Sequence, residues 1–87
     1  MIRVLVPSQL HAYTGGVSRL EAEGAAIADV LDDLDRRFPG LKFRIIDEQD
    51  RVRPHMRLFV GKTAARDIRA PVSDGDELLI FGALSGG

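Results

Sequence analysis

The 87-residue chain contains no cysteine and no tryptophan. Without cysteine it has no disulfide, no thiolate nucleophile and no cysteine-ligated zinc. Imidazole is confined to His11 and His55, and these, with Ser8 and Tyr13, show no pattern that would assemble a base, a nucleophile and an orienting group. No apolar run approaches the roughly 20 residues of a membrane-spanning helix. The N-terminus also lacks the basic-then-apolar layout of a secretory signal. These absences lead us to expect a cytoplasmic protein that does not engage membranes. An excess of one charge is missing too: 12 Lys and Arg face 13 Asp and Glu, for a formal net charge of -1. The broad positive field that collects nucleic acid is therefore not expected.

Apolar residues make up 45% of the chain. At this length that supports one small domain, which buries about 60% of its unfolded surface around a single core. The expected division is a folded body over residues 1–81 and a flexible tail over residues 82–87.

Ile2-Arg3-Val4-Leu5-Val6 alternates as a β-branched strand with Ile2, Val4 and Val6 inward, and Pro7 stops it because proline donates no ladder hydrogen bond. After a polar stretch, Thr14-Gly15-Gly16 signals a turn and Val17 to Ala22 can return as an antiparallel partner. From Ile27 the period lengthens. Ile27, Val30, Leu31, Leu34 and Phe38 share one face of a helix, Asp29, Asp32, Asp33 and Asp35 fall on its water side, and Arg36 and Arg37 suit its C-terminal dipole. Four aspartates on one helix match a solvated face better than a metal site. Pro39-Gly40 ends the helix.

Residues 41–46 fit either a strand or a helical turn, and the pattern does not decide between them. Met56 to Val60 reads as a strand ending at Gly61-Lys62. Arg51, Arg53, His55 and Arg57 make an alternating basic row, either a solvated strand edge or a surface for an acidic partner. Residues 64–70 read as a loop, and Glu77 to Phe81 as the last strand. Strands with one helix packed on one face make an α+β layer. Its expected core is Ile2, Val4, Val6, Leu20, Ile27, Val30, Leu31, Leu34, Phe38, Leu58, Val60, Leu78 and Ile80.

The same alternation turns Leu5, Phe59, Leu79 and Phe81 away from the helix, with no second helix expected to cover them. Apolar clusters of this kind mark docking surfaces; partial cover by the segment at 41–55 is the alternative. The final strand runs directly into Phe81-Gly82-Ala83-Leu84-Ser85-Gly86-Gly87. Gly and Ser are ordinary in frayed chain ends. Here, however, the six residues from Gly82 could extend about 20 Å at ~3.3 Å each, and paired glycines pass where side chains cannot. Adenylation by an ATP-using partner would turn the Gly87 carboxylate into an acyl donor.

The order of elements, the Asp74-Gly75-Asp76-Glu77 turn before the last strand and the terminal Gly86-Gly87 resemble the MoaD/ThiS family of ubiquitin-like, β-grasp sulfur carriers over essentially the whole chain. Val6-Pro7-Ser8-Gln9-Leu10 and Tyr13-Thr14-Gly15-Gly16 look most like the carrier of thiocarboxylate-dependent cysteine biosynthesis. Gly61-Lys62 departs from the Asn-Gly of many relatives, and Ser85 from the Ala or Val frequent before the diglycine.

The resemblance implies a β-grasp fold and a protein that is a co-substrate rather than an enzyme, binding no cofactor or metal of its own. It implies that an E1-like enzyme uses ATP and magnesium to adenylate Gly87, and that sulfide or a persulfide converts it to a thiocarboxylate. The sulfur then passes to a biosynthetic enzyme making cysteine, molybdopterin, thiazole or a thio-containing secondary metabolite. Gly87 would bear the sulfur. Gly86, Ser85 and Leu84 would be held by the partner, and Leu5, Phe59, Leu79 and Phe81 would dock it. A peptidase trimming the C-terminus is a further candidate partner. The alternative function is a ubiquitin-like modifier joined through Gly87 to target lysines; a third is a permanent small subunit with its tail in an enzyme.

Overall fold

The computed structural model describes residues 1–82. Five strands, β1 (Ile2–Leu5), β2 (Arg19–Ala22), β3 (Met56–Val60), β4 (Thr63–Ala65) and β5 (Glu77–Gly82), form one sheet in the order β2-β1-β5-β3-β4. β1 and β5 run parallel at the centre, and the other pairs are antiparallel. Among the described residues, three α-helices, α1 (His11–Thr14), α2 (Ile27–Arg37) and α3 (Leu41–Ile45), and a 3-10 turn at Ser8–Leu10 lie in the connections. This mixed five-stranded sheet with one principal helix is the expected α+β, β-grasp architecture.

Burial follows the two periods of the sequence. Ile2 and Val4 of β1, Met56 and Leu58 of β3, and Leu78 and Ile80 of β5 point inward, where they meet Ile27, Val30, Leu31 and Leu34 of α2, all essentially inaccessible. Leu20, Phe38 and Val60, expected in the core, are only partly buried and pack against it. Core members that the alternation did not single out are Leu10, Ala22, Leu41, Ile45, Ile46, Met56, Ile68 and Val72. Most sit in connections, where no period marks the inward side.

The undecided segment at 41–46 forms α3, which buries Leu41 and Ile45 on the α2 side of the sheet. Cover from residues 41–46 thus goes to the inner face, whereas residues 51–54 lie beside Phe59 of the outer one. A second departure is β4: residues 63–65 lie in what reads as a turn and loop, yet they pair with β3 in the register Leu58↔Ala65, Phe59↔Ala64 and Val60↔Thr63. β3 is therefore flanked on both sides, and the basic row is not a strand edge; only Arg57 of that row lies in the strand.

The start of α2 lacks a capping hydroxyl at Ala26 and is completed by chain from far away. Ile27 N donates to Ala70 O at 3.0 Å and Ala28 N to Ile68 O at 2.8 Å. Together they satisfy two of the donors that a helix start leaves open. Asp29 accepts from the backbone N–H groups of Ala25 and Ala26, the half of a capping box in which a side chain reaches back.

The other three aspartates of α2 are also engaged rather than merely solvated. Asp32 pairs with Lys42 at 2.5 Å, and Asp35 accepts from Gly40 N and Lys42 N, tying α2 to α3. Asp33 accepts from Glu23 N and from Arg36 and Arg37. The Glu23 hydrogen bond, followed by the two guanidiniums, holds the Asp33 carboxyl below its ordinary value of 3.8, outweighing the opposing effect of burial.

Candidate functional site

Strand alternation places one side chain in two on the sheet face opposite α2. The register aligns Leu5 with Leu79 and Leu79 with Phe59, so these three side chains run as a row across β1, β5 and β3. Ala64 of β4 continues the row beyond Phe59. Phe81 stands beside it: its ring meets that of Phe59 edge-on, with centroids 5.7 Å apart, a favoured aromatic geometry. Leu5, Phe59 and Leu79 are half-buried and Phe81 is 49% exposed. The structure thus gathers the four predicted surface residues into one apolar cluster. Around it the face is charged, with Arg3 aligned between Glu21 and Glu77, and Arg19 aligned with Leu5.

Gly82, expected to open the tail, is instead the last residue of β5 and aligns with Met56. The carboxamide of Gln9 lies so close over Gly82 that a Cβ there would make it move aside. Glycine lets the two segments touch where the chain leaves the sheet. Sequence reasoning missed this contact, because nothing in the pattern ties residue 9 to residue 82. Leu84, Ser85, Gly86 and Gly87 lie outside the described residues.

Among the described residues no three His, Asp or Glu side chains are grouped as metal ligands. His11 Nε2 lies 3.2 Å from the Val6 carbonyl, a contact that ties α1 to the residue following β1. No helix among the described residues is long and apolar enough to cross a membrane.

Among the described residues the outer sheet face thus carries one apolar cluster across β1, β5 and β3, and β5 ends at Gly82. The ThiS family matches residues 4–87. The sulfur carrier protein CysO of Mycobacterium tuberculosis is 26% identical over 91 residues, covering 99% of this chain and 98% of that protein. A chain in the crystal structure of the BexX/CysO complex of Amycolatopsis orientalis is 31% identical with a TM-score of 0.92, and the match covers 100% of both chains. SAMP1 of Haloferax volcanii is 26% identical with a TM-score of 0.77, over 99% of this chain and 98% of that one. With its sheet, its helix and its whole length matched in this way, the chain belongs to the ThiS family, as a sulfur carrier protein of the CysO type and not an enzyme.

Proposed function

We propose that the chain carries sulfur as a thiocarboxylate on Gly87. A carboxylate oxygen of Gly87 attacks the α-phosphorus of ATP on an E1-like enzyme, with magnesium on the nucleotide, and pyrophosphate leaves. Sulfide attacks the resulting acyl adenylate and expels AMP, so that one oxygen of the carboxylate has become sulfur. The thiocarboxylate then serves as nucleophile toward an activated metabolite on a second, biosynthetic enzyme. Cysteine is the product class that fits the CysO-type relatives best; molybdopterin, thiazole and thio-containing secondary metabolites are the other candidates. Leu5, Phe59, Leu79 and Phe81 dock the enzymes, while Leu84, Ser85 and Gly86 lie in their channels. The setting is cytoplasmic, and a peptidase acting on a longer precursor would expose Gly87 where one is made.

The observation that carries this reading is the match of the ThiS family over residues 4–87, which takes in the Gly86-Gly87 pair. Intact mass spectrometry of the protein from its native host tests it. One oxygen replaced by sulfur at the terminus is the expected result, and deletion of Gly87 or addition of one residue after it should abolish both the replacement and sulfur transfer. Retained transfer by either variant would overturn the assignment.

The similarity to SAMP1, a small archaeal modifier protein, favours a second reading, in which activated Gly87 acylates a lysine of another protein. Covalent conjugates of higher mass, in place of the thiocarboxylate, would establish it.

A further inference from the structure

The basic residues at 51–57 do not form a row. Arg51, Arg53 and Arg57 instead gather with Arg66, which follows β4, around a groove of about 650 Å³ beside Phe59 and Ala64. His55 is not part of its wall. The groove is lined by four arginines and no acidic residue. Of these four arginines, only Arg51 forms an ion pair with a described residue, Asp47, at 3.6 Å. Arg53 donates to the Phe43 carbonyl, and Arg57 to the carbonyls of Pro54 and Met56. These neutral acceptors fix the direction of the Arg53 and Arg57 guanidiniums without neutralising them, while Asp47, the partner of Arg51, also feels the charge of Arg53. On a chain with net charge -1, this concentration is local.

We propose that the groove receives an acidic, extended segment of a partner protein, with an apolar side chain of that segment against Phe59. Charge complementarity sets the sign of the occupant. Position sets its class. Phe59 belongs both to the groove and to the apolar cluster, and Arg57 aligns with Phe81 across β3 and β5. A partner covering the cluster therefore reaches the groove without a gap. Gly82 aligns with Met56, which also lines the groove, so the segment would lie one strand from the point where the chain leaves the sheet.

A long polyanion such as nucleic acid fits less well. Beyond Arg66 the surface mixes Asp50 and Asp67 with Arg69, which is ion-paired to Asp67, so the stretch of arginines without interleaved carboxylates is no longer than the groove and suits a segment of a few residues better than a phosphate backbone running on. Interfacial charges of this kind act mainly by steering encounter and fixing orientation. The inference rests on the reading of the chain as a co-substrate that enzymes dock, but it does not involve the chemistry at Gly87.

The test is an amide chemical-shift titration of the full chain with a capped Glu-Leu-Glu-Glu-Leu-Glu peptide, its Gln-for-Glu analogue and a short DNA duplex. The expected result is shifts confined to residues 51–59 and 64–66 with the acidic peptide, weakened by added salt and absent with the analogue. Arg66→Glu is the variant of choice, because Arg66 is exposed and makes no hydrogen bond or ion pair among the described residues. It should weaken the peptide about fivefold to tenfold while leaving the rest of the spectrum in place, and Arg66→Lys should restore most of the loss. No shifts, shifts elsewhere, indifference to Arg66→Glu, or tighter binding of the duplex than of the peptide would each overturn the proposal. None of these outcomes touches the thiocarboxylate reading, which the mass spectrum decides separately.

Discussion

Phe59 and Phe81 face the same way and touch each other, yet differ in what the fold asks of them. Phe81 is half exposed and sits near the strand end, so Phe81→Asp should lower stability by no more than about 1 kcal/mol. Leu31, at 1% exposure among α2 and sheet side chains, should cost ~2–5 kcal/mol as Leu31→Ala. Urea unfolding of the two variants checks the contrast, and the docking role of the face requires that Phe81→Asp weaken the partner's hold on a well-folded protein. The direction of each side chain was legible from alternation alone. Whether Leu5, Leu79 and Phe59 form one row was not, because alternation gives a face and only strand register gives neighbours.

Among the elements, α2 was the most readable, since its apolar positions recur at helical spacing. What holds its start in place was not readable. The connection from β2 passes so close to the first turn that a Cβ on Gly24 would lie 2.6 Å from Asp29 Cβ and 2.9 Å from the Val30 nitrogen. These are atoms of a packed helix that cannot swing aside. Gly24→Ala should therefore destabilise by about 1–3 kcal/mol, as overpacking does, measurable as a lower urea midpoint at unchanged slope. The same junction receives the carbonyls of Ile68 and Ala70, and Val72 N donates to Ala25 O beside it, which explains why Ile68, in the stretch that reads as a loop over 64–70, and Val72 just after it are buried. β4 escaped notice because Thr63-Ala64-Ala65 is too short to show a period and two of its three residues are alanine, a weak strand former.

At the scale of the whole molecule, several aspartates tie connections to helices and to one another. Backbone N–H groups of Arg51 and Gln49, with nearby guanidiniums, hold the Asp47 carboxyl below its ordinary range. The Arg69 side chain and backbone do the same for Asp67, and the Glu23 hydrogen bond does so for Asp33. A carboxyl whose folded pKa lies below its unfolded one stabilises the fold above the unfolded value, and the gain disappears as pH falls through the folded value. The melting temperature should thus hold steady from neutrality down to about pH 5 and fall steeply below about pH 4. Asp33→Asn should be less stable near neutrality and show a shallower acid decline. Calorimetry from pH 7 to pH 2 checks both, and a steep loss above pH 5 would mean that other groups govern acid unfolding.

The sequence by itself determined the strands with clear alternation, the face of α2, the apolar surplus on the outer sheet face and the terminal Gly86-Gly87. Each of these is a local pattern, set by backbone periodicity or by residue identity. Tertiary structure decided what local pattern cannot hold. It paired β4 with β3 and aligned Leu5, Leu79 and Phe59 into one surface. It laid Gln9 over Gly82, and it brought Arg66 to Arg51, Arg53 and Arg57. Such contacts join residues far apart along the chain, and their positions follow from register and packing rather than from the identity of either partner.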